Sequence, residues 1–300
     1  MTTDHSTRID EEVVDAVASL GNRQRLEILV ALADRERELG VDGHSMTFTD
    51  LYDAVDVDST SQFSYHLDRL VGEFVAETAG GYRLTYGGDS IVRAIRSDLY
   101  ESATSFEDRP IDGTCVFCEE DALVARLVDG RFVVRCDSCA STLVTDFFPR
   151  SQSAHRSPSE IVASFGYRIW STVVLIQGDV CPECYGLVDT RIDGTERGDR
   201  SFYVHVSTCR ECGLVITLPI EVTAAFHPSV VGFLWEHGIS LFSVPLWEFF
   251  EFVTTETVRT AVTSTDPFAA TVEIAFGDGT LPIEVGECGV VDVGDSADPA

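Results

Sequence analysis

The sequence predicts an α+β protein: a mainly helical N-terminal third closing on a short hairpin, two small β units each built around four cysteines, and a small α+β region at the C-terminus. Three observations carry this. Apolar residues recur at helical spacing through most of the first hundred positions, eight of the nine cysteines fall into C-x-x-C pairs, and alternating apolar stretches flank those pairs.

A chain of 300 residues with 44% hydrophobic content can bury at least one good core, and its length suggests two or three folded units. Fifty acidic residues against 21 basic ones give a net charge of -29, and with no lysine every basic residue is Arg. A disordered acidic chain would lack the 10% aromatics and the apolar periodicity. The acidity therefore belongs to a folded surface. It fits adaptation to molar intracellular salt, where the Debye length shrinks to about 3 Å and self-repulsion is blunted. The competing reading is a basic partner such as a polyamine or a histone-like tail. The N-terminus is polar with no apolar core of a signal peptide, and the best apolar run, Val173 to Ile176, is far too short to cross a bilayer. A cytoplasmic protein without membrane contact is expected, which favours reduced, metal-bound thiols.

Ile9 to Leu20 carries Val13, Val14, Val17 and Leu20 at helical spacing, closed by Gly21. Asn22 caps a second helix with Leu26, Ile28, Leu29 and Leu32 inward and Arg23, Arg25, Arg35 and Glu36 outward. Met46 to Phe48 suits a short strand, and Thr49 a cap for a short helix from Asp50 to Val55. Ser59 to Gln62 has capping-box form and starts a helix to about Val71. Its spacing puts Phe63, Leu67 and Leu70 on one side and Ser61, Gln62, Ser64, Tyr65 and Arg69 on the other. Residues 59 to 67 hold no charge, in a chain with one acidic residue in six. A face that must approach phosphates would exclude carboxylates in this way; a merely neutral surface helix is the plainer reading. His66 falls near the buried side as a satisfied core histidine. Phe74 to Tyr86 reads as two strands around Gly80-Gly81, with Arg83 on the second, and Asp89 as the cap of a last helix reaching Ser102.

This order of elements, over residues 1–108, is the winged helix-turn-helix plan, in which the polar-faced helix enters the major groove of double-stranded DNA and the hairpin touches the backbone or minor groove. Gly21-Asn-Arg-Gln-Arg-Leu-Glu-Ile-Leu29, Phe48-Thr-Asp-Leu-Tyr52, Gln62-Phe-Ser-Tyr-His-Leu-Asp-Arg-Leu70 and Gly81-Tyr-Arg-Leu-Thr85 together resemble ArsR-type winged-helix transcription regulators of halophilic archaea. The resemblance covers the first third of the chain. It implies sequence-specific DNA binding by a homodimer built from the first and last helices of that third. Metal-sensing members carry cysteines in or beside the recognition helix, and this chain has none before Cys115.

Phe106 to Gly113 reads as a linker. Cys115 and Cys118 are followed after 17 residues by Cys136 and Cys139, and Cys181 and Cys184 after 24 by Cys209 and Cys212. Two such knuckles brought together make a four-sulfur tetrahedron that Zn2+ fills, so two structural zinc ribbons are expected, over residues 109–150 and within 151–220. Disulfides, iron–sulfur clusters and thiol redox chemistry are the competing readings. The first ribbon has strands Ala122 to Val128, Arg131 to Arg135 and Leu143 to Phe148, the first two joined by Asp129-Gly130. Ser151 to Ser157 reads as a loop before a helix from Pro158, with Trp170 in its core face. The second ribbon has Tyr185 to Ile192, Ser201 to Thr208 and Leu214 to Ile220, with Asp193 to Asp199 as an enlarged hairpin tip. Residues 221–300 bring a helix from His227-Pro228 to Trp235, an aromatic helix from Pro245 to Val253, and strands Thr257 to Val262, Thr271 to Phe276 and Leu281 to Val285, with a frayed end after Val293. Phe233, Trp235, Phe242, Trp247, Phe249, Phe250 and Phe252 are assigned mainly to the core, with a pocket or dimer surface as the alternative. His227, His237 and Cys288 fit no recurring ligand spacing.

The leading expectation is a DNA-binding transcription regulator with two structural Zn2+ sites, and a small-molecule effector or an RNA polymerase component as a further partner. The alternative is a zinc-ribbon adaptor of the transcription machinery with weak, sequence-independent DNA binding. An enzyme is not expected: four thiolates close each metal, and no phosphate loop, G-x-S-x-G or H-E-x-x-H is present.

Overall fold

Caps and apolar stripes set the helices of the first hundred residues. The computed structural model describes residues 9–39, 45–197, 200–287 and 289–291. The chain divides into two compact units, Met1–Glu101 and Ser102–Ala300. Among the described residues the first unit holds α1 (Glu11–Ser19), α2 (Arg23–Leu39), α3 (Phe48–Asp53), α4 (Thr60–Asp68), β1 (Val75–Thr78), β2 (Gly81–Leu84) and α5 (Tyr86–Arg96). Asn22 and Ser59 cap α2 and α4 as expected, each side chain accepting a backbone N–H three residues on (3.2 and 3.3 Å). Two caps differ from expectation. Thr47, not Thr49, starts α3, and Thr85, not Asp89, starts α5 by accepting from Gly88 at 3.1 Å. Asp89 instead sits in the first turn of α5, where its charge complements the helix N-terminus. Met46 makes a single bridge to Tyr82 rather than a strand. Ile28, Leu29, Leu51, Phe63, Leu67, Leu70 and Val92 form the core of this unit. Of the apolar stripe expected in the first helix only Leu20, at its C-cap, packs against this core; Val13, Val14 and Val17 are all more than half exposed.

The second unit is built from small antiparallel sheets around one long helix. Phe106–Pro110, expected as linker, is strand β3, pairing with β4 (Leu123–Val128), which pairs with β5 (Arg131–Cys136) and then β6 (Thr142–Phe147). Its charged, unalternating sequence suits an exposed edge, and Pro110 costs no ladder bond there. Asp129 and Gly130 both take positive φ (52° and 69°), as the two-residue turn of a tight hairpin requires. A single helical turn, α6 (Arg150–Ser153), replaces the expected loop, and α7 (Pro158–Gln177) follows with a full capping box between Ser157 and Glu160. Trp170 is buried on α7, and its indole N–H donates to the Val244 carbonyl (2.7 Å).

The second sheet is β7 (Val188–Arg197), β8 (Arg200–Cys209) and β9 (Val215–Pro219). Its hairpin is not loop at the far end as expected, because pairing runs on to Arg197 and Arg200. Then come α8 (Ile220–Ala225), α9 (Pro228–Glu236), a single 3-10 turn (Leu241–Ser243), α10 (Leu246–Thr254) and the sheet β10 (Val258–Thr265), β11 (Phe268–Phe276), β12 (Gly279–Gly286) and β13 (Gly289–Val291). One apolar core joins the first sheet, α7, α8, α10 and this last sheet. Trp247, Phe249 and Phe250 lie in it, whereas Trp235 (70% exposed) and Phe242 do not. The frayed end expected after Val293 lies outside the described residues. Among the described residues no helix is long and apolar enough to cross a membrane.

Candidate functional site

Each C-x-x-C pair lies on a turn whose backbone hydrogen bonds repeat in all four copies. The N–H of the first cysteine donates to the carbonyl five residues on: Cys115 to Glu120, Cys136 to Ser141, Cys181 to Gly186 and Cys209 to Leu214, at 2.9 to 3.1 Å. The residue after the second cysteine is left-handed each time: Glu119 (φ 63°), Ala140 (59°), Tyr185 (60°) and Gly213 (73°). The turn thus satisfies its own backbone and leaves both sulfurs facing one side. The first cysteine of each pair is buried, while Cys139, Cys184 and Cys212 reach solvent.

Two pairs close on each other in each sheet. Cys115 Sγ lies 3.7 Å from Cys139 Sγ, and Cys118 Sγ 3.6 Å from Cys136 Sγ. In the second cluster Cys181 pairs with Cys212 at 3.7 Å and Cys184 with Cys209 at 3.5 Å. All four sulfurs of either cluster lie within 4.8 Å of one another. A zinc–sulfur bond of about 2.3 Å in a tetrahedron requires sulfurs about 3.8 Å apart, whereas a disulfide requires about 2.05 Å. The spacing fits the metal.

Electrostatics point the same way. Burial pushes the Cys118 thiol up to about 12, while a hydrogen bond from the Ser141 hydroxyl brings Cys139 down to about 6. In the second cluster the amides of Cys212 and Glu211 donate to the Cys209 sulfur and hold it at about 6. Four thiols this close cannot all ionise against one another, and a dication among them removes that conflict. Cys115, Cys118, Cys136 and Cys139 on one side, and Cys181, Cys184, Cys209 and Cys212 on the other, are placed to bind two metal ions. The all-sulfur donor set is consistent with Zn2+.

The two centres are braced by one hairpin. Arg200, at the far end of β8, donates to the Val116 carbonyl (3.2 Å) and to Glu119 (2.6 Å), and Phe202 packs edge-on against Phe117 at 5.2 Å. Sequence reading missed this brace, because Arg200 falls between the expected hairpin tip, Asp193 to Asp199, and the expected strand from Ser201.

The six residues predicted to meet DNA lie on α4, its C-cap and β2. Ser61, Tyr65, Arg69 and Arg83 are exposed, and Gln62 and Ser64 are partly buried. The Arg69 guanidinium lies 5.7 Å from the Tyr65 ring centre, so the two share one face. His66 is buried, but among the described residues its Nδ1 has no hydrogen-bond partner, so it is not the satisfied core histidine expected. Arg25, expected to face solvent, turns its Nε inward, where it has no partner among the described residues. Burial, and then the charge of Arg25, lower the His66 pKa. His227 accepts from the Ser229 amide at 3.3 Å and His237 Nδ1 lies 2.8 Å from the Phe233 carbonyl, while Cys288 lies outside the described residues.

Fold and site together define a mixed α+β protein with two four-cysteine metal centres. Residues 112–291 match the family described as Domain of unknown function (DUF7351), and the chain belongs to that family. Residues 13–95 match a second, Domain of unknown function (DUF7347). No curated protein and no solved structure matches the chain.

Proposed function

We propose that the protein is a sequence-specific DNA-binding transcription regulator, acting in a cytoplasm of high salt, whose first unit is a winged helix-turn-helix of ArsR type and whose cysteine clusters are structural zinc ribbons. The observation that carries this reading is the exposed side of α4. Residues 59 to 67 are uncharged in a chain of net charge -29, and Ser61, Tyr65 and Arg69 project from a helix seated by buried Phe63, Leu67 and Leu70. In this reading α4 enters the major groove, and Arg83 on the β1–β2 hairpin meets the backbone or minor groove. The zinc ribbons take no part in chemistry, since four cysteines leave no open position for a substrate.

Homodimerisation is part of the proposal. The exposed Val13, Val14 and Val17 of α1, with exposed Leu99 beyond α5, supply an apolar surface that a second copy would cover. Val17→Glu is expected to shift a dimer to monomer in analytical ultracentrifugation.

Footprinting followed by fluorescence anisotropy in molar KCl tests the DNA reading. Arg69→Ala and Tyr65→Ala are each expected to weaken operator binding by about 1–3 kcal/mol, or roughly 5- to 150-fold, without changing the unfolding temperature. Unchanged operator affinity in both variants would sink the assignment of this face. Weak, sequence-independent binding with co-purifying polymerase would favour the adaptor reading.

A further inference from the structure

The second unit contains a cavity of about 520 Å3 between its two cysteine-centred sheets, a volume typical of small-molecule sites. Phe117, Phe165, Phe202, Tyr203 and Phe250 make much of its wall. Its ionisable lining is unbalanced: Asp146, Glu183 and Glu221 against the single Arg168. Arg168 is already engaged, in an ion pair with Asp146 (3.1 Å) and in donation to the Phe147 carbonyl. Among the described residues no lining cation is therefore left to receive an anionic ligand. Glu221 accepts from the Thr260 hydroxyl at 2.6 Å and from its own backbone N–H, feels the charge of Arg200, and remains partly open to the cavity although protein surrounds most of its side chain.

We propose that this cavity binds a lipophilic organic cation: a flat, largely aromatic molecule with one delocalised positive charge, its rings against Phe117, Phe202 and Tyr203 and its charge toward the Glu221 carboxylate. Aromatic faces and a partly desolvated carboxylate attract such a cation together, where either would be weak in water. Burial pushes the Glu221 carboxyl up, so a cation beside it would offset part of the cost of keeping that carboxylate charged. Both metal centres frame the cavity. Val116 and Phe117 lie between the first cysteine pair, and Pro182 and Glu183 between the third. The inference stands apart from the DNA reading, since purified protein without DNA tests it.

Fluorescence anisotropy of rhodamine 123, a cation, and of fluorescein, an anion on a closely related ring system, makes the test on the full chain in molar KCl, where adsorption to the acidic surface is screened. Saturable rhodamine binding is expected, with fluorescein weaker by at least about tenfold. Glu221→Gln keeps an acceptor for Thr260 and is expected to weaken rhodamine by roughly tenfold while sparing fluorescein. Equal binding of the two dyes, no saturable rhodamine binding, or an unchanged rhodamine affinity in a folded Glu221→Gln protein would each overturn the proposal. The comparison of dyes on the unaltered protein decides the matter even where that variant does not fold.

Discussion

Among the described residues the imidazole of His205 has one hydrogen-bond partner and lacks a second. Thr223 Oγ1 donates to the Ile220 carbonyl (2.9 Å), so at 2.8 Å from His205 it must accept from Nδ1–H, and Nε2 is left buried without a partner. That neutral tautomer is the one burial favours, and the pKa falls from 6.5 to about 4. Protonation would give Nε2–H no acceptor. The contribution to stability is complete above the unfolded value of 6.5, declines as pH falls below it, and is lost by about 4; it amounts to about 3 kcal/mol. An NMR titration of the His205 Cε1 proton is expected to show a midpoint near 4, and a midpoint near 6.5 would contradict this account. Gly213 supports a second prediction. A Cβ there would meet nothing within 4 Å, so Gly213→Ala tests backbone conformation alone, with an expected cost of about 1–2 kcal/mol from the left-handed φ. At this scale the sequence was legible where chemistry resides in residue type and spacing, as in the C-x-x-C pairs. It was less so for caps: Thr47 and Thr49 offer the same hydroxyl, and nothing local decides between them.

Among elements, those with a strong period were visible in the sequence. The buried stripes of α2 and α4, the Asp129-Gly130 hairpin and α7 all follow from apolar spacing and turn chemistry. Those without one were not. Five of the six residues in α8 are buried, so it has no polar face to mark a helical period. β3 is an exposed edge with no apolar alternation, and the outer half of the β7–β8 hairpin is polar and charged, which reads as loop. Removing one ligand at this scale should have a local outcome. Cys136→Ser is expected to halve the metal bound per chain, as read by atomic absorption, and to melt the sheet of β3 to β6 while leaving unit Met1–Glu101 folded in hydrogen exchange. Loss of both metals together would mean that the centres are not separable elements.

For the whole molecule, charge and metal act over longer distances. With a net charge of -29, the acidic body repels DNA until counterions screen it, so operator affinity is expected to rise from low to molar KCl, opposite to the usual loss with salt. Anisotropy across a salt series checks the sign. Of the aromatic set for which the sequence left a pocket open, only Phe250 lines the cavity; the cavity's place could not be read, because its walls come from segments as far apart as Val116 and Val253 and exist only once both sheets have closed. Stripping the metals with a strong chelator is therefore expected to abolish saturable rhodamine 123 binding, and restoring Zn2+ to recover it.

The brace from Arg200 to Val116 also has a consequence in time. The two residues are 84 positions apart. A chain emerging from the ribosome at about 5–20 residues per second has made Cys139, the last ligand of the first cluster, about 3–12 s before Arg200 exists. Through that interval the first cysteine cluster depends on its own hairpin and its metal alone, whereas the second is finished as soon as β9 is made. Metal supply during synthesis thus matters most for the centre that is made first.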